Sequence, residues 1–256
     1  MSPAIHPRPV ALVTGVGRTV GIGASIATRL ARDGWDVATA HWPAYDDRMP
    51  WGCQPGDVEK VANSIREAGA ATVAVSADLR VVESPATIFD AVGAELGPVT
   101  ALIMCHCESV DSGLLDTSVE SFDRHFAVNT RASWLLIREF ALRYTAQEDR
   151  GRIVALTSDA TVGNLAYGAS KGALDRIVIA SARELAERRI TANVINPGPV
   201  DTGWMSDELR DQIVRATPRG RGGRATDTAA LVSFLCSDEG GWINGQLMHC
   251  DGGLHT

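Results

Sequence analysis

The sequence predicts an α/β protein in which a parallel, doubly wound sheet of seven strands carries helices on both faces. Short apolar runs alternate with segments of helical periodicity through the 256 residues, and such alternation is typical of this fold class. The first apolar run also leads directly into a glycine-rich stretch and then a helix, as the first strand of such a sheet does. No linker, internal repeat or low-complexity tract appears, so we predict one domain over residues 1–256.

Seven short apolar runs are predicted as strands. They are Val10–Thr14, Trp35–His41, Ala71–Ala77, Val99–Cys105, Arg152–Ser158, Thr191–Asn196 and a run near Gln246–Cys250. The predicted helices are Ile22–Asp33, Asp57–Ala68, Ser84–Leu96, Thr117–Thr145, Tyr167–Glu187 and Thr226–Cys236. Start signals support three of them: Asp57 as an N-cap, Ser84 as an N-cap followed by proline at the first helical position, and a capping box over residues 117–120.

Composition and charge exclude several kinds of partner. The formal net charge is -7, the isoelectric point is near 5.4 and no long basic run occurs, which argues against nucleic acid and an anionic membrane surface. No apolar run reaches the roughly 18 residues of a membrane span. The N-terminus lacks the apolar core of a signal peptide, and the five cysteines are odd in number and scattered. We therefore expect a cytoplasmic protein without a disulfide framework.

The loop after the first predicted strand is suited to binding a diphosphate. It contains Gly15, Gly17, Gly21 and Gly23 immediately before a helix. Glycines allow a tight turn and close approach of the backbone, and the helix start supplies unpaired N–H groups. The alternative is a turn with a purely structural role. The position of the loop between the first strand and the first helix argues against that alternative.

Tyr167 and Lys171 are candidates for acid/base chemistry. They stand four residues apart in Tyr-Gly-Ala-Ser-Lys, and residues at this spacing share one face of a helix. A free tyrosine loses its proton near pH ~10, and a neighbouring positive charge lowers that pKa. The pair is then able to exchange protons with a substrate near neutral pH. The spacing alone is common, so the alternative is a chance pair of one half-buried and one solvated side chain.

Together these motifs resemble the classical short-chain dehydrogenase/reductase family over nearly the whole chain. The resemblance rests on the glycine-rich loop, the Tyr-x-x-x-Lys pair and the Asn-Pro-Gly at 196–198, with further similarity over 237–253. That closing stretch looks most like the 3-oxoacyl-thioester reductase branch. The family implies a Rossmann-type fold, a nicotinamide cofactor and a homotetramer, or homodimer, in which the helices at 117–145 and 167–188 pack between subunits.

The resemblance implies roles for individual residues. Tyr167 would be the general acid in reduction and the base in oxidation, and Lys171 would lower its pKa and hold the nicotinamide ribose. Ser158 would bond the substrate oxygen, and Asn129 would hold a water that relays protons to Lys171; the alternatives are a strand-end hydroxyl and a satisfied buried amide. The implied cofactor-binding residues are Gly15, Gly17, Arg18, Gly21, Ile22, Gly23, His41, Asp78, Leu79, Tyr167, Lys171, Pro197, Gly198, Val200 and Thr202.

Four features depart from the family pattern. The glycine loop is about two residues longer than usual, as in the related enoyl reductases. Those enzymes have Tyr and Lys further apart, so the spacing of four residues here favours carbonyl chemistry. Met104–Cys107 replaces the usual Asn-Asn-Ala-Gly. Only eight residues, 159–166, separate Ser158 from Tyr167, which should widen or redirect the substrate cleft. The long segment 42–56 could fold over the adenosine end of the cofactor, touch another subunit or pack on itself.

Cys105, His106 and Cys107 are residue types that bind metals, but we do not interpret them as a metal site. Alternate residues of a strand point to opposite faces, and no second pair of ligands lies nearby in the sequence. We therefore predict no metal site, and interpret this stretch as a loop beside the cofactor.

The cofactor is predicted to be NADP(H) rather than NAD(H). A carboxylate at the end of the second strand would bind the ribose hydroxyls of NAD, but this strand ends in His41 and Trp42. Arg18 could instead pair with a 2′-phosphate, and His41 could add to this. Asp46 and Asp47 could fold back against the site.

The function predicted is transfer of hydride between NADP(H) and a ketone or secondary alcohol, including 3-oxoacyl thioesters as a candidate substrate. The segment at 199–223 resembles the mobile substrate lid of the family. Trp204 and Met205 within it are consistent with a partly apolar substrate, or with ordinary packing of a short helix. The alternative function is a nucleotide-binding or scaffold protein that has lost the chemistry.

Overall fold

The computed structural model describes residues 8–145 and 150–255, and they form one α/β domain around a single parallel sheet. The strands are β1 (Val10–Thr14), β2 (Asp36–His41), β3 (Thr72–Ser76), β4 (Val99–Met104), β5 (Gly151–Leu156), β6 (Ile190–Asn196) and β7 (Leu247–His249). Their order is β3-β2-β1-β4-β5-β6-β7. Because the order reverses direction between β1 and β4, a crevice forms there at the carboxyl ends of the strands. The predicted seven-stranded Rossmann-type sheet is confirmed.

Nine α-helices are found in the part of the chain that the structure describes. They are α1 (Ile22–Arg32), α2 (Pro43–Asp46), α3 (Asp57–Glu67), α4 (Ser84–Glu95), α5 (Val119–His125), α6 (Ala132–Arg143), α7 (Leu165–Glu184), α8 (Asp207–Ala216) and α9 (Ala225–Cys236). A π-helical segment, Phe126–Arg131, joins α5 to α6, and a 3-10 turn, Ala186–Arg188, follows α7.

Both faces of the sheet are covered by buried apolar side chains. In β1, Leu12 packs with residues of α4, α6 and α7 on one face, whereas Ala11 and Val13 pack with α1, α3 and α9 on the other. Successive strand residues point to opposite faces, so the central strands supply both cores. This explains why the strands are continuous apolar runs rather than alternating ones. The rigid sheet fixes the positions of the loops at its carboxyl edge.

The predicted helix starts are wrong in detail at three places. The N-cap of α3 is Gly56, because the Asp57 carboxylate is instead drawn to the glycine-rich loop, where it accepts from the backbone N–H and hydroxyl of Thr19 at 3.1 Å each. The N-cap of α4 is Glu83, not Ser84. The N-cap of α5 is Ser118, whose hydroxyl accepts from the backbone N–H of Ser121, rather than Thr117.

The long helix predicted at 117–145 is also corrected. It is divided into α5, the π-helical segment and α6, which ends at Arg143. A π-helical turn contains an extra residue relative to an α-helical turn, and such turns are frequent at functional sites. Asn129 lies within this segment, so the wide turn sets where that side chain points.

Candidate active site

The candidate site lies at the carboxyl edge of the sheet, where loops from four neighbouring strands meet. β1 leads into the glycine-rich loop, β4 into residues 105–108, β5 into Ser158 and β6 into the Asn-Pro-Gly at 196–198. Ligands of doubly wound sheets bind in this position. α7 then supplies Tyr167 and Lys171 from its first two turns.

Tyr167 and Lys171 share one face of α7, as their spacing predicts. The Lys171 ammonium lies 5.8 Å from the centre of the Tyr167 ring. It is buried, and its Nζ donates to the carbonyl oxygen of Leu156 at the end of β5, 2.8 Å away. This bond anchors the cation to the sheet. Burial lowers the pKa of Lys171 because the charged form loses its hydration.

The pKa of Tyr167 is raised, contrary to the lowering that the sequence predicts. Burial of the phenol is the largest cause, the nearby Cys107 adds to it, and the hydrogen bond with Ser158 acts in the opposite direction. Desolvation therefore outweighs the hydrogen bond with Ser158. The phenol is held in its protonated form at neutral pH, which is the form that donates a proton to a carbonyl oxygen.

Ser158 adjoins Tyr167 at the end of β5. Besides its hydrogen bond with the phenol, the Ser158 hydroxyl accepts from the backbone N–H of Ala160 at 3.1 Å. The two hydroxyls thus face the same space, which is the arrangement that the resemblance implies for binding a substrate oxygen.

Asn129 is fully buried and ties three parts of the site together. Its Oδ1 accepts from the backbone N–H of Glu108 at 2.7 Å, and its Nδ2 donates to the Glu108 carbonyl and to the Ser170 hydroxyl, both at 2.9 Å. Ser170 in turn donates to the carbonyl of Tyr167 at 2.8 Å. Asn129 thereby fixes the loop after β4 against the catalytic helix. Its role in holding a water stays a prediction.

The glycine-rich loop has the close backbone packing that a phosphate cradle requires. Gly15 has a φ of 75°, and a Cβ there would lie 2.6 Å from the backbone nitrogen of His106. A Cβ on Gly23 would lie 2.9 Å from the Gly15 carbonyl oxygen. Among the described residues, α1 has no side-chain cap and no acidic residue in its first turn, which begins at Ile22 after Gly21. Its first N–H groups therefore remain available to an anion.

The segment 42–56 folds back over this loop. Oδ2 of Asp46 lies 2.7 Å from where a Cβ on Gly17 would be, and its Oδ1 accepts from the Trp51 indole at 2.9 Å. Arg18 stacks on Trp51 with its guanidinium carbon 4.8 Å from the ring centre, and donates to the carbonyl of Thr202 at 2.8 Å. Burial raises the pKa of Asp46, although the Trp51 bond and Arg18 oppose this. The segment thus joins the glycine loop to the start of the predicted lid.

A second group of contacts ties the same segment to the loop after β4, and no motif or spacing indicated it. The Arg48 guanidinium donates to both carboxylate oxygens of Glu108, at 3.1 and 2.8 Å, and Glu108 is buried. Tyr45 hydrogen-bonds with Cys107. Burial raises the pKa of Tyr45, and the surrounding acidic groups, Tyr167 among them, raise it further. Tyr45 therefore reaches the neighbourhood of the catalytic tyrosine.

His106 holds the loop after β4 in place. Its Nδ1 lies 2.7 Å from the Thr14 hydroxyl, and its Nε2 lies 3.2 Å from both the Val128 carbonyl and the Ser133 hydroxyl. Burial, and secondarily the charge of Lys171, lower the pKa of His106 to about 3. The imidazole is therefore neutral, and both nitrogens are occupied by protein groups.

The remaining predicted cofactor residues lie at or after the carboxyl ends of β1, β2, β3 and β6. His41 ends β2, and its buried Nδ1 has no hydrogen-bond partner among the described residues. The Asp78 carboxylate is bonded by Arg80, and these bonds lower the pKa of Asp78 although burial opposes them. Leu79 belongs to the core. Gly198, after Pro197, has a φ of 62°, and Val200 is buried and bridges to Gly223.

The fold and the site define a nucleotide-dependent oxidoreductase, in which a glycine-rich loop and a Ser–Tyr–Lys group lie at the same edge of the sheet. A family model described as enoyl-(acyl carrier protein) reductase matches residues 15–255. The chain belongs to the short-chain dehydrogenase/reductase family, and it is an enzyme acting on CH–OH or C=O groups.

Relatives of similar length support this assignment. The uncharacterized oxidoreductase YjdA of Bacillus subtilis is 34% identical over 250 residues, covering 96% of each chain. An NADPH-dependent aldehyde reductase-like protein of Arabidopsis thaliana is 34% identical over 95% of this chain and 93% of its own. A short chain dehydrogenase from Burkholderia cenocepacia, solved in complex with NADP, is 31% identical, covers 98% of both chains and has a TM-score of 0.85.

Proposed function

We propose that the protein is an NADP(H)-dependent reductase of a ketone, working reversibly on the corresponding secondary alcohol. The observation that carries this is the Tyr167 phenol, held protonated by burial and bonded to Ser158 beside the buried Lys171. The bound nicotinamide supplies or accepts the hydride. Ser158 and Tyr167 orient the substrate oxygen, and Tyr167 gives it a proton, while Lys171 keeps a positive charge near the phenolate that results.

Replacing Tyr167 with Phe tests this proposal. The variant keeps the ring but removes the proton donor, so NADPH oxidation with a carbonyl panel should fall about 10²–10⁴-fold. Binding of NADPH, followed by its fluorescence, should change little. The matched control is Y144F, which removes a phenol from the core. Full activity in Y167F, or equal losses in both variants, would refute the assignment.

The preference for NADPH over NADH is part of the proposal. Arg18 lies on the glycine-rich loop, and the unpartnered Nδ1 of His41 lies at the end of β2 where the adenosine ribose binds in such folds. Comparing kcat/KM for NADPH and NADH decides the point, and a clear preference for NADH would contradict it.

The substrate is proposed to be partly apolar. The shortened loop 159–166 pairs with the segment after β4 through Ser112 and Asn164, and both carry exposed apolar side chains, Val162 on one and Leu115 on the other. Trp204 in the lid is half exposed, and its indole donates to the Val200 carbonyl at 3.0 Å. A substrate panel should include 3-oxoacyl thioesters and bulky aliphatic or aromatic ketones. Better turnover of small, charged ketones would contradict this proposal.

A homotetramer in the cytoplasm is also proposed. The helices that the family places between subunits carry exposed apolar side chains here, including Phe122, Trp134 and Leu142. Trp242, shortly before the edge strand β7, and Leu247, the first residue of that strand, are exposed as well. No helix in 8–145 or 150–255 is long and apolar enough to cross a membrane. Light scattering of the purified chain tests the assembly, and a monomeric mass would contradict it.

A further inference from the structure

Two histidines and an aspartate converge at the end of β7, outside the residues used for catalysis. They are His249, Asp251 and His255, and their side-chain ligand atoms all lie within 4.8 Å of one another. The two imidazole rings are 4.4 Å apart between centres. The Asp251 side chain is almost completely buried, while both imidazoles are partly exposed. The cluster is therefore open to an ion from solvent on one side.

The separations are close to those of a metal centre. Oδ2 of Asp251 lies 2.5 Å from Nδ1 of His255 and 3.9 Å from Nδ1 of His249. Two ligands of a tetrahedral transition-metal ion are about 3.3 Å apart, given bond lengths of roughly 2.0–2.1 Å. These two separations differ from that value by less than about 1 Å, and the third, between the histidines, is at most 4.8 Å, so rotation of the partly exposed imidazoles must bring the ligands into place.

The aspartate is already oriented for such a role. Its Oδ1 accepts from the backbone N–H of Gly253 at 2.9 Å, and its Oδ2 accepts from that of His255 at 3.2 Å. A Cβ on Gly198 would lie 2.6 Å from the Cβ of Asp251. The carboxylate therefore has a fixed position at the start of the predicted lid.

A second carboxylate stands behind His255. Nε2 of His255 hydrogen-bonds Asp159, the residue that follows Ser158. Metal-binding histidines usually donate their other ring N–H to a carboxylate or carbonyl, which fixes the tautomer and orients the ring. Nδ1 of His255 hydrogen-bonds Oδ2 of Asp251. With the ring proton kept on Nε2 toward Asp159, a metal ion that replaces this bond would meet the Nδ1 lone pair.

We propose that His249, Asp251 and His255 bind one divalent transition-metal ion, with Asp159 orienting His255. Two imidazoles and one carboxylate favour ions such as Zn²⁺, Ni²⁺ or Co²⁺ over Mg²⁺ or Ca²⁺, which prefer oxygen ligands. The ion links the chain after β7 to the loop that precedes Tyr167, because Asp159 begins that loop. It acts as a structural clamp at the edge of the substrate cleft and takes no part in proton transfer.

Nickel titration of the full chain, expressed without a histidine tag and stripped with chelator, tests the proposal. Calorimetry should give one Ni²⁺ per chain, and thermal melts should rise with Ni²⁺ concentration because the ion binds the folded state. H249Q and H255Q should each weaken binding by more than tenfold. D159N should weaken it by about 10–100-fold, as loss of a carboxylate behind a ligand histidine does.

Two control variants separate this site from other sources of metal binding. Cys250 lies between two of the proposed ligands, and C250S should leave the affinity unchanged. D207N, which changes an exposed carboxylate on α8, should also have no effect. The proposal is overturned if no binding occurs at millimolar Ni²⁺, if C250S abolishes binding, or if H249Q and H255Q bind like the wild type. None of these results depends on turnover, so they leave the proposed catalytic function untouched.

Discussion

The ion pair between Arg48 and Glu108 should be a large stabilising contact of the segment 42–56. Glu108 is only 1% exposed, and its carboxylate accepts two hydrogen bonds from the Arg48 guanidinium. The Arg124 side chain is more distant, with its Nε 3.5 Å from the same carboxylate. Removing one partner of a buried pair costs about 3–5 kcal/mol because the other charge remains buried. Arg48 is 38% exposed, and water and Arg124 compensate in part, so we expect about 1–3 kcal/mol for R48A.

A thermal melt measures this effect directly. For a domain of this size the expected loss lowers Tm by about 2–12 °C. The matched control is R66A, which breaks an ion pair of the same 2.8 Å length between exposed side chains and should cost less than about 1 kcal/mol. The double variant R48A/E108Q replaces the stranded charge with a neutral amide, and should recover part of the loss. Equal effects of R48A and R66A, or a double variant less stable than R48A, would refute the reasoning.

Three further outcomes follow from the site. R18A should lower kcat/KM for NADPH by about 10–100-fold, through the loss of charge-assisted hydrogen bonds worth about 1.5–3 kcal/mol. It should change kcat/KM for NADH little. An equal loss with both cofactors would argue against recognition of the 2′-phosphate by Arg18. The pKa of Tyr167 is raised, and the protonated phenol is the active acid. The kcat for reduction at saturating NADPH should therefore stay level below the ordinary tyrosine pKa of about 10. A Tyr167-dependent fall of kcat beginning near pH 8 would contradict this. G168A should destabilise the folded protein by about 1–3 kcal/mol and lower kcat, since its Cβ would overlap the Ala160 carbonyl oxygen. G172A on the same helix, with no described heavy atom within 4 Å of its Cβ, should be neutral or stabilising. Similar melting temperatures for the two variants would refute the steric argument.

The strands were the most predictable part of the fold. Val10–Thr14 and β1 coincide, and the other strand ends shift by one residue or a few, because a buried parallel strand is a continuous apolar run bounded by turn residues. Helix starts were less predictable. Asp57 has the residue type of an N-cap, but a tertiary contact with Thr19 uses its carboxylate instead.

Two features of the site could not be read from residue spacing. No glycine or proline marks the π-helical turn that holds Asn129, so the sequence predicts one unbroken helix. The pKa of Tyr167 depends on how deeply α7 packs against the sheet, whereas the sequence shows only that a lysine lies one turn away. Local spacing therefore predicted the neighbour and missed the larger effect of desolvation.

Contacts over long sequence separations were also beyond prediction. Asp159 and His255 meet only because β5 and β7 end at the same edge of the sheet. Asp46 meets Gly17 because a short helix, α2, turns the chain back after β2. The sequence indicated that Asp46 could return to the cofactor site, but not which atoms it would approach.

The strand order has a consequence for synthesis of the chain. β1 can pair with β2, and β2 with β3, as they emerge from the ribosome. The other edge of β1 pairs with β4, which begins only at Val99. Until β4 arrives, the apolar β1 presents unpaired N–H and C=O groups, and such edges recruit other strands. The nascent chain therefore carries an unpaired apolar strand edge until the residues from Val99 onward have been made.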